Sequence, residues 1–342
     1  MDKNKMIRMK DIADRAGVST VTVSKALSGQ RGVSEQVRAA ILALAEEMQY
    51  QQTAQRQPRM KQSCSVGAIV AGHFMRGDSG AAFYKMVLAQ LAHELSKSRS
   101  ALTTEIISDR LEREGAVPAV LREETVEGLI ILGDFSENYV NMILKSSEIP
   151  IVFMDTSPKS HGRDYVLSDG YYGGYVLTNY LLDRGHTRIG YVGTVLSTSS
   201  VTDRYLGYVR ALMERNIPVR EDWVIADRSR ETLLLDEDVY FSLPEELPTA
   251  FVCNSDLAAG LLSRKLAHRG LLCPDDISIV GFDHFTELEE AIPFTTYAVD
   301  TKEMVRKAAS LLLRRIHGDY CRKCVSIVEG RLIEQGSVKT LA

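Results

Sequence analysis

Residues 9–27 read MKDIADRAGVSTVTVSKAL, and the rest of the chain is organised around this stretch. Its apolar spacing predicts two short helices joined by a tight turn. Ile12, Ala13 and Ala16 cluster on one side of a first helix over residues 10–16. Gly17 ends that helix, because glycine enters the left-handed region at no steric cost. Val18 is expected to pack in the turn. Ser19 is placed to cap a second helix, its hydroxyl accepting from an otherwise unpaired backbone N–H. Val23, Ala26 and Leu27 share the inner face of that helix. Thr20, Val21, Thr22, Ser24 and Lys25 are left on its outer face or leading end, which is short, polar and free of acids. A helix presented this way fits the major groove of a duplex, where its N-terminal residues meet base edges. The same helix–glycine–helix pattern, taken alone, also describes an ordinary helical hairpin.

Outward from this stretch, residues 1–8 are a polar lead in which Arg8 is placed to meet a phosphate. On the other side, Ser28–Gly32 is a loop. Ser34 caps a third helix to about Met48, and it joins the candidate DNA contacts. Val37, Ile41, Leu44, Ala45 and Met48 follow a 3–4 spacing and are expected to complete the small core of the head. Glu35 sits where a helix N-terminus favours an acid. Residues 50–63, YQQTAQRQPRMKQS, form a polar linker with Arg56, Arg59 and Lys61 and no acid.

The charge supports a division of labour. The chain has 342 residues and a net charge of −4, yet residues 1–62 hold eleven Lys and Arg against six Asp and Glu. A basic head on an acidic body suits a protein that docks phosphate with one end. The length implies two or three domains. Five cysteines, an odd number, argue against a disulfide framework. No apolar run is long enough to span a bilayer and no signal-peptide core follows the basic start, so a cytoplasmic location is expected.

The order of residues in KDIADRAGVSTVTVSKALSG closely resembles the helix-turn-helix of the lactose-repressor (LacI/GalR) family of bacterial transcription regulators. The resemblance continues to about residue 335, where GGYVLTNYLLDRGHTRIGYVG and DISIVGFD are its clearest pieces. It implies an α/β architecture: a helix-turn-helix head over residues 1–49, a hinge over 50–63, and a two-lobed body over 64–342 of the periplasmic sugar-binding-protein type. The expected N-lobe covers about 64–167 and 301–325, and the expected C-lobe about 168–297 and 326–342. In the family the linker forms a hinge helix whose leucine wedges into the minor groove. Here Arg59 stands where that leucine is expected, and Pro58 interrupts the helix. Met60 as the wedge, Arg59 reading a narrow minor groove, and a less ordered hinge are the alternatives. A basic, less wedging hinge is the preferred one.

From Ser65 onward the residues themselves read as repeated strand–helix units, which build parallel sheets covered on both faces. Crossings between the lobes are expected near 166–168, 297–301 and 324–327. Ligands in such sheets lie beyond the carboxyl ends of the strands, here the cleft between lobes. Asp155, Ser255, Asp256 and Asp283 follow strands, and Arg204 stands near a helix start, all where the lobes would converge. The family resemblance implies that Arg204 and Asp283 touch the effector, and that Ser255-Asp256 replaces an Asn-Asp pair. Carboxylates with an arginine suit bidentate bonding to vicinal sugar hydroxyls. Phe74, Phe83 and Tyr84 offer an apolar wall, although core packing accounts for them equally well. Asp227 and Arg228 leave an acidic or phosphorylated ligand conceivable. Trp223 precedes its strand, so it is poorly placed to stack on a sugar. Cys321-Arg-Lys-Cys324 lacks the further ligands zinc needs.

These readings converge on a homodimeric regulator, a repressor by family default, reading a pseudo-palindromic operator under control of a sugar-like effector. No cofactor, metal or membrane is implied. An activator of the same family and a sugar receptor without specific DNA binding are the alternatives. An enzyme on the same scaffold is disfavoured because G-x-S-x-G, P-loop and H-E-x-x-H motifs are all missing.

Overall fold

The computed structural model describes residues 9–27, 33–48, 63–76, 78–156, 162–230, 233, 241–284, 293–319 and 321–341. The chain divides into two compact units, residues 1–61 and 62–342.

The first unit holds three helices, α1 (Met9–Ala16), α2 (Thr20–Leu27) and α3 (Glu35–Glu47). Gly17 takes φ +63° between the first two. Ile12, Ala13, Val23, Ala26, Ile41 and Ala45 are buried together, with Val18 and Met48 packed at the edge. Val37 departs from the expectation and is 36% exposed. It sits in the first turn of α3, whereas Val33, just before that helix, packs on this core. Arg8 and the hinge residues Arg56, Arg59 and Met60 lie outside the described residues.

The second unit opens with β1 (Ser65–Ala71), α4 (Asp78–Ser96), β2 (Ala101–Ile107), α5 (Asp109–Glu114), α6 (Ala119–Arg122), β3 (Gly128–Leu132), α7 (Glu137–Ser146), β4 (Ile151–Met154) and β5 (Asp164–Ser168). The chain then crosses into a second lobe: α8 (Gly170–Leu182), β6 (Ile189–Val192), α9 (Ser199–Glu214), β7 (Val224–Ile225), β8 (Ala250–Cys253), α10 (Asp256–Ala267), β9 (Ser278–Asp283) and β10 (Thr295–Ala298). It returns for α11 (Thr301–Ile316) and β11 (Val325–Val328), then crosses again for β12 (Arg331–Ile333). The two six-stranded sheets run β11-β5-β4-β3-β1-β2 and β12-β10-β9-β8-β6-β7. All pairings are parallel except β12 on β10.

Each sheet packs an apolar core on each of its faces. That is why strands such as Val66–Ala71 are buried throughout and read as continuous apolar runs rather than alternating ones. Hydroxyl and carboxylate caps start the helices: Ser108 for α5, Asp169 for α8, Thr198 for α9 and Asp300 for α11.

Two expectations need correction. The expected lobe border at 325/326 falls inside β11, which pairs with β5 through Val328, so the third crossing comes at residues 329–330. Residues 325–333 are therefore two strands in different sheets, β11 and β12, with residues 329–330 between them. The strand β10 carries Thr295 and Thr296, and its polar residues hid it among the loops.

Candidate functional site

In the head, Ser19 Oγ accepts from Thr22 N at 3.1 Å and so caps α2. It also lies 2.9 Å from Thr22 Oγ1. Thr20 is exposed and Thr22 half-buried on the leading turn. The backbone of α2 carries Val21, Ser24 and Lys25, whose side chains lie outside the described residues. Ser34 Oγ accepts from Val37 N at 3.4 Å, so its hydroxyl is engaged in starting α3. Arg38 Nη1 donates to Ala26 O at 3.0 Å and ties α3 to the end of α2.

In the body, the sheets end at a common cleft. Arg204 on α9 is buried, and its Nη2 donates to Asp283 Oδ1 at 2.9 Å. Its Nη1 donates to the Asn254 carbonyl, and its guanidinium stacks 3.8 Å over Phe282. Glycines put it there. A Cβ at Gly174 would lie 2.2 Å from the Arg204 carbonyl oxygen, and one at Gly207 2.0 Å from that of Tyr171. Backbone contact between α8 and α9 thus fixes the guanidinium at the strand ends.

Across the cleft, Tyr84 donates to Asp155 Oδ2 at 2.9 Å. Burial pushes the Asp155 carboxyl up to about 7, against the pull of the Tyr84 hydrogen bond and the Arg204 charge. Asp155 and Asp283 both hold left-handed backbones, with φ of 59° and 89°. Short polar residues tolerate that region, and such strain clusters at ligand sites.

Several candidates have work within their own lobe. Phe74 stacks on Tyr84 at 4.8 Å, Phe83 meets Tyr84 edge-on at 5.2 Å, and all three pack on the first lobe's core. Ser255 caps α10, accepting from Ala258 N at 3.2 Å. Asp256 packs against β9, where a Cβ on Gly281 would lie 2.0 Å from its Oδ1. Trp223 is buried, donates to the Glu246 carbonyl at 2.9 Å, and carries Arg220 over its ring at 4.2 Å. Cys321 and Cys324 are exposed and free.

Arg228 is bound through Nε and Nη2. Its Nε and Nη2 donate to the two Asp227 oxygens at 3.0 and 2.7 Å, and Nη2 reaches Asn254 Oδ1 at 3.0 Å. Burial alone would raise the Asp227 carboxyl, but the Arg228 charge and bonds from Asn254 and Thr194 hold it below its ordinary value.

Residues beyond the sequence reading complete the cleft. Asp134, just past β3, accepts from Thr156 Oγ1 in its own lobe. In the second lobe Ser199 donates to it from the backbone N at 2.9 Å, and Ser199 Oγ lies 2.9 Å from Asp134 Oδ2. This links the lobes directly. Beside it opens a cavity of about 730 Å³, lined by both lobes and including His73, Asp109, Asp134, Thr198, Ser199 and Arg230. The space between Asp155 and Ser199 is only about 20 Å³. Neither Arg204 nor Asp283 lines either of these two spaces. Asp134 obeys the strand-end logic that singled out Asp155. His73 and Ser199 carry no such signal.

Residues 8–52 match the model of bacterial regulatory proteins of the lacI family, and residues 178–338 match a periplasmic binding protein-like domain. An HTH-type transcriptional repressor PurR from Vibrio campbellii (strain ATCC BAA-1116) is 31% identical over 98% of this chain and 100% of that protein. Among solved structures, a transcriptional regulator CelR–cellobiose complex has a TM-score of 0.67 at 23% identity, covering 97% of this chain and 99% of that one. A lac repressor dimer bound to operator and the anti-inducer ONPF has a TM-score of 0.65 at 19% identity, covering 98% and 100%. At such identities the two structures speak to the fold, which they share with this chain.

Proposed function

The chain belongs to the lacI family of bacterial regulatory proteins, and we propose that it is a repressor whose hold on DNA is set by a small molecule between its lobes. That it is a DNA-binding transcription regulator follows from the family and from the full-length relative that represses transcription. A homodimer, with two heads on a two-fold axis, would read two half-sites of a pseudo-palindromic operator. The lac repressor relative is a dimer on its operator, and the head of this chain is the same kind of reader.

The observation that carries the effector reading is the Arg204–Asp283 pair, set at the strand ends of one lobe and facing Asp155 and Tyr84 of the other. A guanidinium and carboxylates in a half-dry cleft suit hydroxyls that both donate and accept. The relative of known structure that holds cellobiose supports a sugar-like effector here. Ligand bridging the lobes would alter their angle and with it the spacing of the heads. The test is operator binding followed by anisotropy while candidate sugars are added. The effector should shift operator affinity in the wild type, and Arg204→Ala and Asp283→Ala should each weaken effector binding about tenfold or more. Wild-type effector affinity in both variants would refute the assignment.

A further inference from the structure

The five cysteines divide by environment. Cys64 and Cys253 are buried and Cys273 is half-buried, whereas Cys321 and Cys324 are exposed. Burial pushes the three enclosed thiols up, Cys273 to about 12. The thiolate, which is the reactive form, is therefore disfavoured at each of them. The exposed pair lies in one short loop between α11 and β11, as Cys321-Arg-Lys-Cys324.

A buried ion pair shapes that loop. Arg315, near the end of α11, bonds both oxygens of Asp164, from Nε at 2.8 Å and from Nη2 at 2.9 Å. Its other donors turn to the loop. Nη1 donates to the carbonyls of Asp319 at 2.8 Å and Cys321 at 2.7 Å, and Nη2 to that of Arg322 at 3.2 Å. Asp164 Oδ1 in turn accepts from Cys324 N at 3.0 Å. The backbones of both cysteines are thus drawn onto one guanidinium–carboxylate pair. Their side chains are left at the surface, with exposed Arg322 and Lys323 between them. The loop enters β11 at its amino end, whereas the cleft lies beyond the carboxyl ends of the strands. Chemistry here is separate from the effector site.

We propose that Cys321 and Cys324 are a reversible redox pair, closed to a disulfide by peroxides and reopened by thiols, and that closure loosens the first lobe. The Asp319 carboxylate beside Cys321 holds that thiol above its ordinary value. Cys321 therefore keeps its proton, and Cys324 supplies the attacking thiolate. It attacks one oxygen of hydrogen peroxide: an S–O bond forms, the O–O bond breaks, and hydroxide leaves and is protonated to water. The Cys321 sulfur then attacks Cys324 Sγ. The S–S bond forms, the S–O bond breaks, and the departing hydroxide takes the Cys321 proton as water. Two thiols and one peroxide give one disulfide and two waters.

A bridge across two intervening residues needs its α-carbons within about 7 Å, and so a backbone turn. Residues 321–324 form no such turn; their carbonyls follow Arg315 instead. Closing the bridge turns those carbonyls from the guanidinium and leaves donors of a buried cation unpaired, which costs stability. A bridge strained in this way is also readily reduced.

The experiment treats the reduced full chain with hydrogen peroxide. Peptide mapping reads the products, and melting curves are taken before and after dithiothreitol. A 321–324 disulfide, lighter by two hydrogens, should form while the other three cysteines remain thiols. The melting temperature should fall by about 2–4 °C and recover with dithiothreitol. In Cys321→Ser, oxidation should stop at a sulfenic acid on Cys324 that dimedone traps, and the reduced variant should melt as the wild type does. The proposal is overturned if no 321–324 bridge forms, or if the enclosed cysteines oxidise as fast. A bridge that leaves the melting temperature unchanged or raises it also overturns it. A dimedone adduct on Cys321 in Cys324→Ser, with none on Cys324 in Cys321→Ser, overturns the assigned order of attack.

Discussion

Asp155 shows how one residue ties chemistry to fold. It hangs beyond β4 with a left-handed backbone, receives the Tyr84 hydroxyl, and feels Arg204 and Asp283 from across the cleft. Burial raises its carboxyl from 3.8 to about 7. The folded chain therefore keeps this proton where the unfolded chain has lost it. The resulting stability is fully present below about pH 4 and is lost as pH rises through about 7. Asp155→Asn should flatten the pH dependence of the denaturant midpoint over that window. An unchanged slope would mean that another group carries it. This residue was legible in the sequence as a polar group just past an apolar run. Its proton was not, because that depends on what the opposite lobe brings near.

At the scale of elements, caps and close crossings set the positions of functional groups. Ser19→Ala removes the hydroxyl that starts α2 and should cost the head about 1 kcal/mol, read as a lower melting temperature and weaker operator binding. Gly174→Ala drives a methyl into the Arg204 carbonyl, where α8 and α9 touch backbone to backbone. It should destabilise the body by about 1–3 kcal/mol and weaken effector binding as α9 moves. A variant with wild-type stability and effector affinity would show that the crossing does not position Arg204. Helices and strands were legible wherever apolar residues followed one period, as in β1, α8 and α11. The strand β10 gives no apolar run because it opens with two buried threonines, Thr295 Oγ1 donating to the Gln335 carbonyl at 3.0 Å and Thr296 Oγ1 accepting from His284 N at 3.3 Å. Ser255 and Asp256 were legible as a pair at a strand end. Only coordinates separate a cap and a packing contact from a ligand contact, since the same residue types serve all three.

At the scale of the molecule, Asp134 joins two lobes that the sequence presents as separate runs of strands and helices. It accepts from Ser199 twice across the cleft. Asp134→Ala removes both bonds, and its larger mean lobe separation should appear as an increased radius of gyration in small-angle scattering of the ligand-free protein. No change would show that the latch does not set the lobe angle. The lobe–lobe latch was beyond reach of the sequence because Asp134 and Ser199 lie in different βα units, and no local pattern pairs them. The basic head and acidic body, by contrast, were visible in the charge count alone. No helix among the described residues is long and apolar enough to cross a membrane.

If two groove-reading heads act as a pair, the chain selects an inverted repeat. Selection of bound duplexes from a random pool at physiological salt tests it most directly, because specific binding must outlast the phosphate contacts that salt weakens. Run with and without candidate sugars, it should enrich an inverted repeat whose half-sites are spaced for two heads, and an effector sugar should change the yield. A pool left unenriched under both conditions would contradict the account.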